Sequence, residues 1–512
     1  MTPNSPQTIP ELLSSGQDED VAIAAPGRKA LTYAGLRTHV ENTVFALNRL
    51  GLGRNDRVAI VLPNGPEMAS AFVSVASGAT TAPLNPAYRR PEFEFYLSDL
   101  NAKALLVEQG STSPAVEVAR QLTIPILQVV VGPQQPAGSF EIATETGDSP
   151  YPPAETGGYA APEDIALVLH TSGTTSRPKM VPLMHKNVCA TARNIRQTLA
   201  LIPEDRCLNI MPLFHIHGLM AAVLASLGSG ASVYCTPGFN ALQFFSWLSD
   251  SQATWYTAVP TMHQAILERA ERNSEAVKAA HLRFVRSSSA SLPAPVLAQL
   301  EDTFHTRVIE AYGMTEASHQ MTSNPLAPQP RKPGTVGIPT GQEVAIMDEQ
   351  GNLLPQGSIG EIVIRGENVT SGYENNPKAN EASFTNGWFR TGDQGVMDED
   401  GYLTIKGRLK EIINRGGEKI SPREIDDILM EHPAVQQVVT FAMPHPKLGE
   451  DVAAAVVLRL GAETSEQELR DFVRQRAASF KVPRKIVILT EIPKGATGKL
   501  QRIGLAQKLG LG

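Results

Sequence analysis

Cysteine is scarce in this chain: 512 residues contain three, Cys189, Cys207 and Cys235. An odd number with no C-x-x-C pair excludes a disulfide framework and a cysteine zinc site, and it suits a reducing compartment. Positive charge is not in excess either. Against 52 Asp and Glu stand 45 Lys and Arg, a net charge of −7, and no basic stripe stands out. Nucleic acid is therefore not expected as the main partner. No apolar run is long enough for a membrane span. The stretch between Arg206 and Asp250 comes nearest, because it carries no Lys, Arg, Asp or Glu. Pro212, His215, His217 and Pro237 interrupt it, so it reads as a buried helix and strand. "MTPNSPQTIPELLSSGQDED" lacks the basic and apolar segments of a secretory leader, and "AQKLGLG" is no S-K-L address. Cytoplasm is the expected location. The pattern G-x-x-x-x-G-K-[ST] is also missing, which excludes a Walker loop.

What is present is an ordinary globular composition, 42% apolar and 19% charged, in a chain too long for one core. "TYAGLRTHVENTVFALNRLGL" puts Leu36, Val40, Val44, Leu47 and Leu50 on one helical face, and Gly51 marks the stop. "DRVAIVLPN", "KALLVEQ", "IPILQVVVG" and "ATWYTAVPT" read as short buried strands between helical segments, which implies parallel sheets covered by helices. After about Val336 the texture changes to hairpins, as in "EVAIMDEQGNLLPQGSIGEIVIRG" and "VMDEDGYLTIKGR". The last hundred residues read as a separate unit. There Ser421, Pro422 and Glu424 predict a capping box, and "TSEQELRDFVRQRA" predicts a second capped helix. The expected fold is thus α/β: a large region of packed, mostly parallel sheets with a small β unit over residues 1–407. A smaller α+β domain follows over 408–512, the boundary lying in "KGRLKEIINRGGEKISP".

The loop "HTSGTTSRPK" follows the strand-like "DIALVLH". Hydroxyls, a close-approach Gly173 and Lys179 suit phosphate, although such loops also serve as ordinary turns. Four further stretches carry chemistry: "EAYGMTEASH", "WFRTGDQG" with Asp393, "KGRLKEIINRGGEKISP" with Arg408 and Lys410, and "PKGATGKLQR" with Lys499. Taken singly, Asp393 reads as a turn residue and Arg408 and Lys499 as surface charges.

Together and in this order, the five stretches resemble the adenylate-forming superfamily, which includes acyl-CoA synthetases and peptide-synthetase adenylation domains. The resemblance runs from "LTYAGL" to "GKLQR". It implies a large N-terminal region and a mobile C-terminal domain joined by a hinge. By the same resemblance, Thr171, Ser172, Gly173, Thr174, Thr175 and Lys179 hold the β- and γ-phosphates of ATP. Ala290, Glu310, Ala311 and Tyr312 face the purine, Thr315 bonds the phosphate, and Glu316 holds Mg²⁺. Asp393, with Arg408 beside it, takes the ribose hydroxyls, and Lys499 is the catalytic lysine of the first half-reaction. Lys410 is the hinge, with Gly416 and Gly417 admitting the CoA thiol. A carboxylate of the substrate attacks the α-phosphorus, and thioester formation with CoA follows.

The acid pocket is expected to be polar. Ser288 and Ser289 lie in "RSSSASL", His319 follows the T-E pair, and "PLFHIHG" supplies His215 and His217. Serine and histidine converging on the acyl end favour a small polar acid, since an apolar one would leave them unpaired. "HTSGTTSRPKMVPL", "ATWYTAVPTMHQ", "GQEVAI" and "INRGGEKISP" are moreover similar to oxalate–CoA ligases. That resemblance implies Ser289 and His319 for the second carboxylate and a positional role for His215. A short- or medium-chain fatty or aryl acid–CoA ligase, or a stand-alone enzyme loading a carrier protein, would share every ATP residue and differ in the pocket or the acceptor.

Overall fold

The computed structural model describes residues 5–145, 152–171, 178–493 and 500–512. Two sheets form the large region. One has seven strands, with Arg57–Val61, Thr80–Pro83, Ala104–Glu108, Ile126–Val130 and Ile165–Thr171 parallel at its centre. The other has nine, with parallel neighbours running from Val21–Ala24 through Ser232–Cys235, Arg206–Asn209, Trp255–Ala258 and Phe284–Ser288 to Arg307–Met314.

Alternation along each strand produces the layering. Val58 and Ile60 face a core shared by both sheets, together with the helices Tyr33–Arg49, Pro66–Ala76 and His185–Thr198. Ala59 and Val61 face the other way, onto Phe93, Leu97, Val116 and Val118 of an outer helix pair. The nine-stranded sheet does the same, turning Leu208, Tyr256 and Val285 toward Phe244, Ile266 and Leu300. Helices thus lie between the sheets and outside both. The uncharged stretch is buried at the centre: His217–Leu224 is a π-helical segment with every residue buried, and Ser232–Cys235 a central strand. Among the described residues, no helix is long and apolar enough to cross a membrane.

The hairpin region forms a five-stranded antiparallel sheet in which Trp388–Met397 pairs with Leu403–Arg408, placing Asp393 opposite Arg408. Beyond it, Val435–His445 and Gly449–Leu458 anchor a second five-stranded sheet. The helices Pro422–Met430 and Glu466–Arg474 bury Ile425, Leu429, Leu469 and Val473 against one face, while Ile492 and Leu505 cover the other. Ser465 and Glu468 make the expected capping box. Ser421 and Glu424 do not. The Ser421 hydroxyl donates instead to the Lys406 carbonyl, and Glu424 is drawn 2.6 Å from Lys481 Nζ. A tertiary partner has won over the local cap.

This last unit touches the large region at a few polar points. Arg423 donates to the Ile405 carbonyl (3.0 Å), Gln264 to the Gln436 carbonyl (3.2 Å), and the Gln436 amide meets Glu268. Inside the unit, Arg502 is held by Asp426 (2.6 Å), Glu411 (3.2 Å) and the Thr440 carbonyl (2.9 Å).

Candidate active site

The strands on either side of the expected phosphate loop are an antiparallel pair, Ile165–Thr171 with Lys179–Met184, and Thr171 stands opposite Lys179. Ser172, Gly173, Thr174 and Thr175 lie outside the described residues, as does Lys499. Lys179 Nζ sits 4.2 Å over the Tyr373 ring. Burial lowers its pKa, Lys410 lowers it further, and Glu316 opposes both. Those influences place Lys179, Lys410 and Glu316 in one electrostatic neighbourhood.

Glu316 belongs to the 3₁₀ turn Thr315–Ala317, which follows the strand Arg307–Met314. Its carboxylate is buried and accepts the Tyr373 hydroxyl at 2.7 Å, and burial raises its pKa. Tyr373 is fixed in turn. Asn380 bonds its backbone N–H and carbonyl, and the next residue, Glu374, receives two 2.6 Å bonds from Arg57. Close by, the Tyr312 hydroxyl donates to Asp393 (2.5 Å), whose other oxygen takes Arg408 Nε (3.0 Å). Burial and Asp393 push the Tyr312 phenol up, while Asp393 raises the Arg408 guanidinium. Thr171 thus ends a parallel strand of one sheet and Tyr312, Thr315 and Glu316 lie at the end of one in the other, while Lys179 pairs with Thr171 and the antiparallel sheet brings Asp393 and Arg408 to Tyr312; ligands of open α/β sheets bind at such strand ends.

The purine candidates are spread differently. Ala290 is exposed beyond the strand Phe284–Ser288, and Ala311 accepts a bond from the Ser288 hydroxyl at 2.8 Å. Glu310 is buried, and burial lifts its carboxyl to about 7. In the last unit, Gly416 and Gly417 have φ of +60° and +100° and turn an exposed hairpin between Ile413–Arg415 and Glu418–Ile420, a conformation glycine adopts without strain. Lys410 is exposed in the turn Leu409–Glu411.

Deeper in the large region lies a polar cluster. The His217 and His319 rings stack at 4.9 Å, and Ser289 Oγ is 3.0 Å from His217 Nδ1. His215 stands at its edge, its Nδ1 accepting the His217 backbone N–H at 3.3 Å. The centre of the cluster is a residue the motifs did not single out, Arg286. Its side chain is fully buried, and its two terminal nitrogens meet His217, Thr257, His319 and Gln320 at 3.0–3.3 Å. No acidic side chain lies within ion-pair range of it among the described residues, and its Nε has no hydrogen-bond partner there. Burial brings its pKa down to about 9. The only trace in the sequence is that Arg286 is the one charge in "FVRSS", a strand whose burial on both sides emerges only in the fold. Tyr373 left no such mark. Two residues of the cluster also have left-handed backbones, Ser289 at φ +72° and His319 at φ +112°. Conformations of that kind cost about 1–3 kcal/mol each and gather where the fold over-determines a site.

The pattern of the AMP-binding enzyme family matches residues 14–374, and that of the AMP-binding enzyme C-terminal domain matches 424–499. An oxalate–CoA ligase of Arabidopsis thaliana is 45% identical over 506 residues, covering 96% of this chain and 98% of the relative. One of Saccharomyces cerevisiae is 42% identical over 475 residues, covering 89% and 87%. Among solved structures, ATP-bound MatB from Rhodopseudomonas palustris superposes with a TM-score of 0.85 at 27% identity, covering 99% and 98%.

Proposed function

The chain belongs to the AMP-binding enzyme family and is an AMP-forming acid–CoA ligase; from that premise we propose that its acid is oxalate. The reaction is then oxalate, ATP and CoA to oxalyl-CoA, AMP and diphosphate. One observation carries the reading: Arg286 is a fully buried cation with no acidic partner among the described residues. Burying an uncompensated charge costs several kcal/mol. A second anionic group on the substrate offsets that cost. A monocarboxylic acid does not.

The first step joins a carboxylate oxygen of the acid to the α-phosphorus as diphosphate leaves. Two anions must approach, so the cations around them matter. Lys179 and the hydroxyls of the Thr171–Thr175 loop would hold the departing phosphates, and Thr315 the α-phosphate. Asp393, braced by Tyr312 and Arg408, would take the ribose hydroxyls. Lys499 would neutralise charge at the reacting phosphorus. Ala290, Glu310 and Ala311 would border the purine. Magnesium fits the donors present: Glu316 offers one buried carboxylate beside the phosphate strands. Mg²⁺ is usually held by one or two carboxylates plus substrate phosphates and waters. Bound there, it would neutralise phosphate oxygens.

In the second step the CoA sulfur bonds the acyl carbon and AMP leaves. The proposed division at 407/408 makes Lys410 the hinge and lets Gly416 and Gly417 approach the thioester site. Among the described residues the interface is a handful of polar contacts, which supports a movable unit. His215, at the cluster's edge, would flank the reacting carboxylate. A cytoplasmic location agrees with three buried, unpaired cysteines.

The test is ATP-dependent CoA-ester formation with oxalate, malonate, acetate, hexanoate and coumarate, each with Mg²⁺ and free CoA. Oxalate is expected to exceed acetate in kcat/KM by at least about a hundredfold, the discrimination of a site whose buried donors go unpaired. A monocarboxylate as the preferred acid sinks the oxalate reading and leaves the ligase mechanism standing. Diphosphate release without any CoA ester points to a different acceptor.

A further inference from the structure

Residues 368–374 are stitched to both large sheets, between the turn Thr315–Ala317 and the strand Lys179–Met184. On the Glu316 side, the Ser318 hydroxyl donates to the Asn368 carbonyl (2.8 Å) and the Asn368 amide to the Ala317 carbonyl (2.9 Å). The Thr370 N–H donates to the Glu316 carbonyl at 2.8 Å. On the Lys179 side, the Thr370 hydroxyl donates to the Pro182 carbonyl (2.8 Å) and the Glu374 N–H to the Met180 carbonyl (3.0 Å). The Arg57–Glu374 pair and the two Asn380 bonds complete the stitching, and Tyr373 is buried in its middle.

Tyr373 meets opposite charges with two parts of one side chain. Its hydroxyl donates to Glu316 Oε1 at 2.7 Å, and its ring face carries the Lys179 ammonium 4.2 Å from the centre. Lys179 and Glu316 are close enough to influence each other electrostatically, yet no ion pair is formed between them. Opposite charges in a partly shielded site attract strongly. A direct pair would use up the charge that each side chain has to offer a ligand. A tyrosine between them avoids this: the ring quadrupole attracts a cation without neutralising it, and a neutral hydroxyl holds one carboxylate oxygen without discharging it.

We propose that Tyr373 is a positioning residue that keeps Lys179 and Glu316 from collapsing into an ion pair, so that both charges stay available to ATP and its Mg²⁺. The destinations of the two charges rest on the ATP and magnesium roles proposed above; the place of Tyr373 between them does not.

The test reads nucleotide binding by calorimetry on the full-length protein, first in EDTA and then across a Mg²⁺ titration. Tyr373→Leu removes both restraints, and its metal-free ATP Kd should rise at least about tenfold, the scale of a charge pair in a shielded site. Glu316→Gln removes the carboxylate that competes for Lys179. In that background Tyr373→Leu should cost no more than about twofold. Equal losses in the two backgrounds overturn the proposal, because a merely structural lesion would not depend on Glu316. Tyr373→Phe keeps the ring beneath Lys179 and loses only the hydroxyl. The Mg²⁺ concentration that half-maximally tightens ATP binding should then rise at least about threefold. A wild-type Mg²⁺ requirement in Tyr373→Phe also overturns the proposal, whether or not Tyr373→Leu folds. If Mg²⁺ tightens ATP binding in Glu316→Gln as well as in wild type, the magnesium role of Glu316 fails. The metal-free comparison of the two backgrounds then still decides whether Tyr373 keeps the charges apart.

Discussion

Glu310 shows how one side chain is set by its surroundings rather than by its neighbours in the chain. Its carboxyl is buried, one oxygen lacks a partner among the described residues, and burial lifts it to about 7. Arg423 and Arg331 pull the other way, and Asp427 adds to the rise. A carboxyl whose folded value lies above its unfolded one stabilises the fold fully below about 4.5, and that contribution fades as pH climbs toward about 7. Glu310→Gln should therefore match wild type in thermal stability at pH 5 and exceed it above pH 7.5, by an amount on the order of 1–3 kcal/mol. Scanning calorimetry at the two pH values checks this; a variant less stable at both would mean that Glu310 is paired in its ionised form. At this scale the sequence was partly legible. Ser289 and His319 could be picked out because serine and histidine are unusual where an apolar acid pocket is the expectation, and the structure places both against His217. Arg286 did not, because a single arginine in a strand reads as an exposed face until the strand is known to be buried on both sides.

Elements were read best where periodicity and caps agreed. The helix Tyr33–Arg49 buries Leu36, Val40, Val44 and Leu47, and the helix Glu466–Arg474 begins on its expected capping box. The helix Pro422–Met430 carries equally good letters and lacks the cap, since Ser421 and Glu424 have found partners elsewhere. The two serines should behave differently. Ser465→Ala removes two reciprocal bonds and should cost about 1 kcal/mol. Ser421→Ala should leave its helix intact and loosen the link to Lys406. Hydrogen exchange localises both effects: faster exchange at Gln467–Leu469 in the first variant, none at Arg423–Ile425 in the second. Equal protection loss in both helices would show that Ser421 caps after all.

Across the whole molecule, the sequence after Val336 read as hairpins closing the large region and the last hundred residues as a unit of their own, but which surfaces meet could not be read. The contacts of Gln436 with Gln264 and Glu268 join residues more than 160 positions apart, and no local pattern encodes them. The Gln436 amide against Glu268 is such a contact, on an exposed rim. Gln436→Glu sets like charges together there, worth roughly 0.5 kcal/mol at low salt. Trypsin cleavage in "KGRLKEIINR" should quicken about twofold, with the difference vanishing at high salt. A rate independent of the substitution would show that this contact does not restrain the unit.

The Arg57–Glu374 clamp has a consequence for how the protein is made. The two residues are 317 positions apart, and their bond braces the segment that carries Tyr373 to Glu316. At about 5–20 residues per second, Arg57 leaves the ribosome roughly 15–60 s before Glu374. A nascent chain can complete its first parallel strands in that interval, yet the segment that carries Tyr373 to Glu316 is still missing. Until Glu374 has been made, the brace behind Tyr373 and Glu316 cannot close.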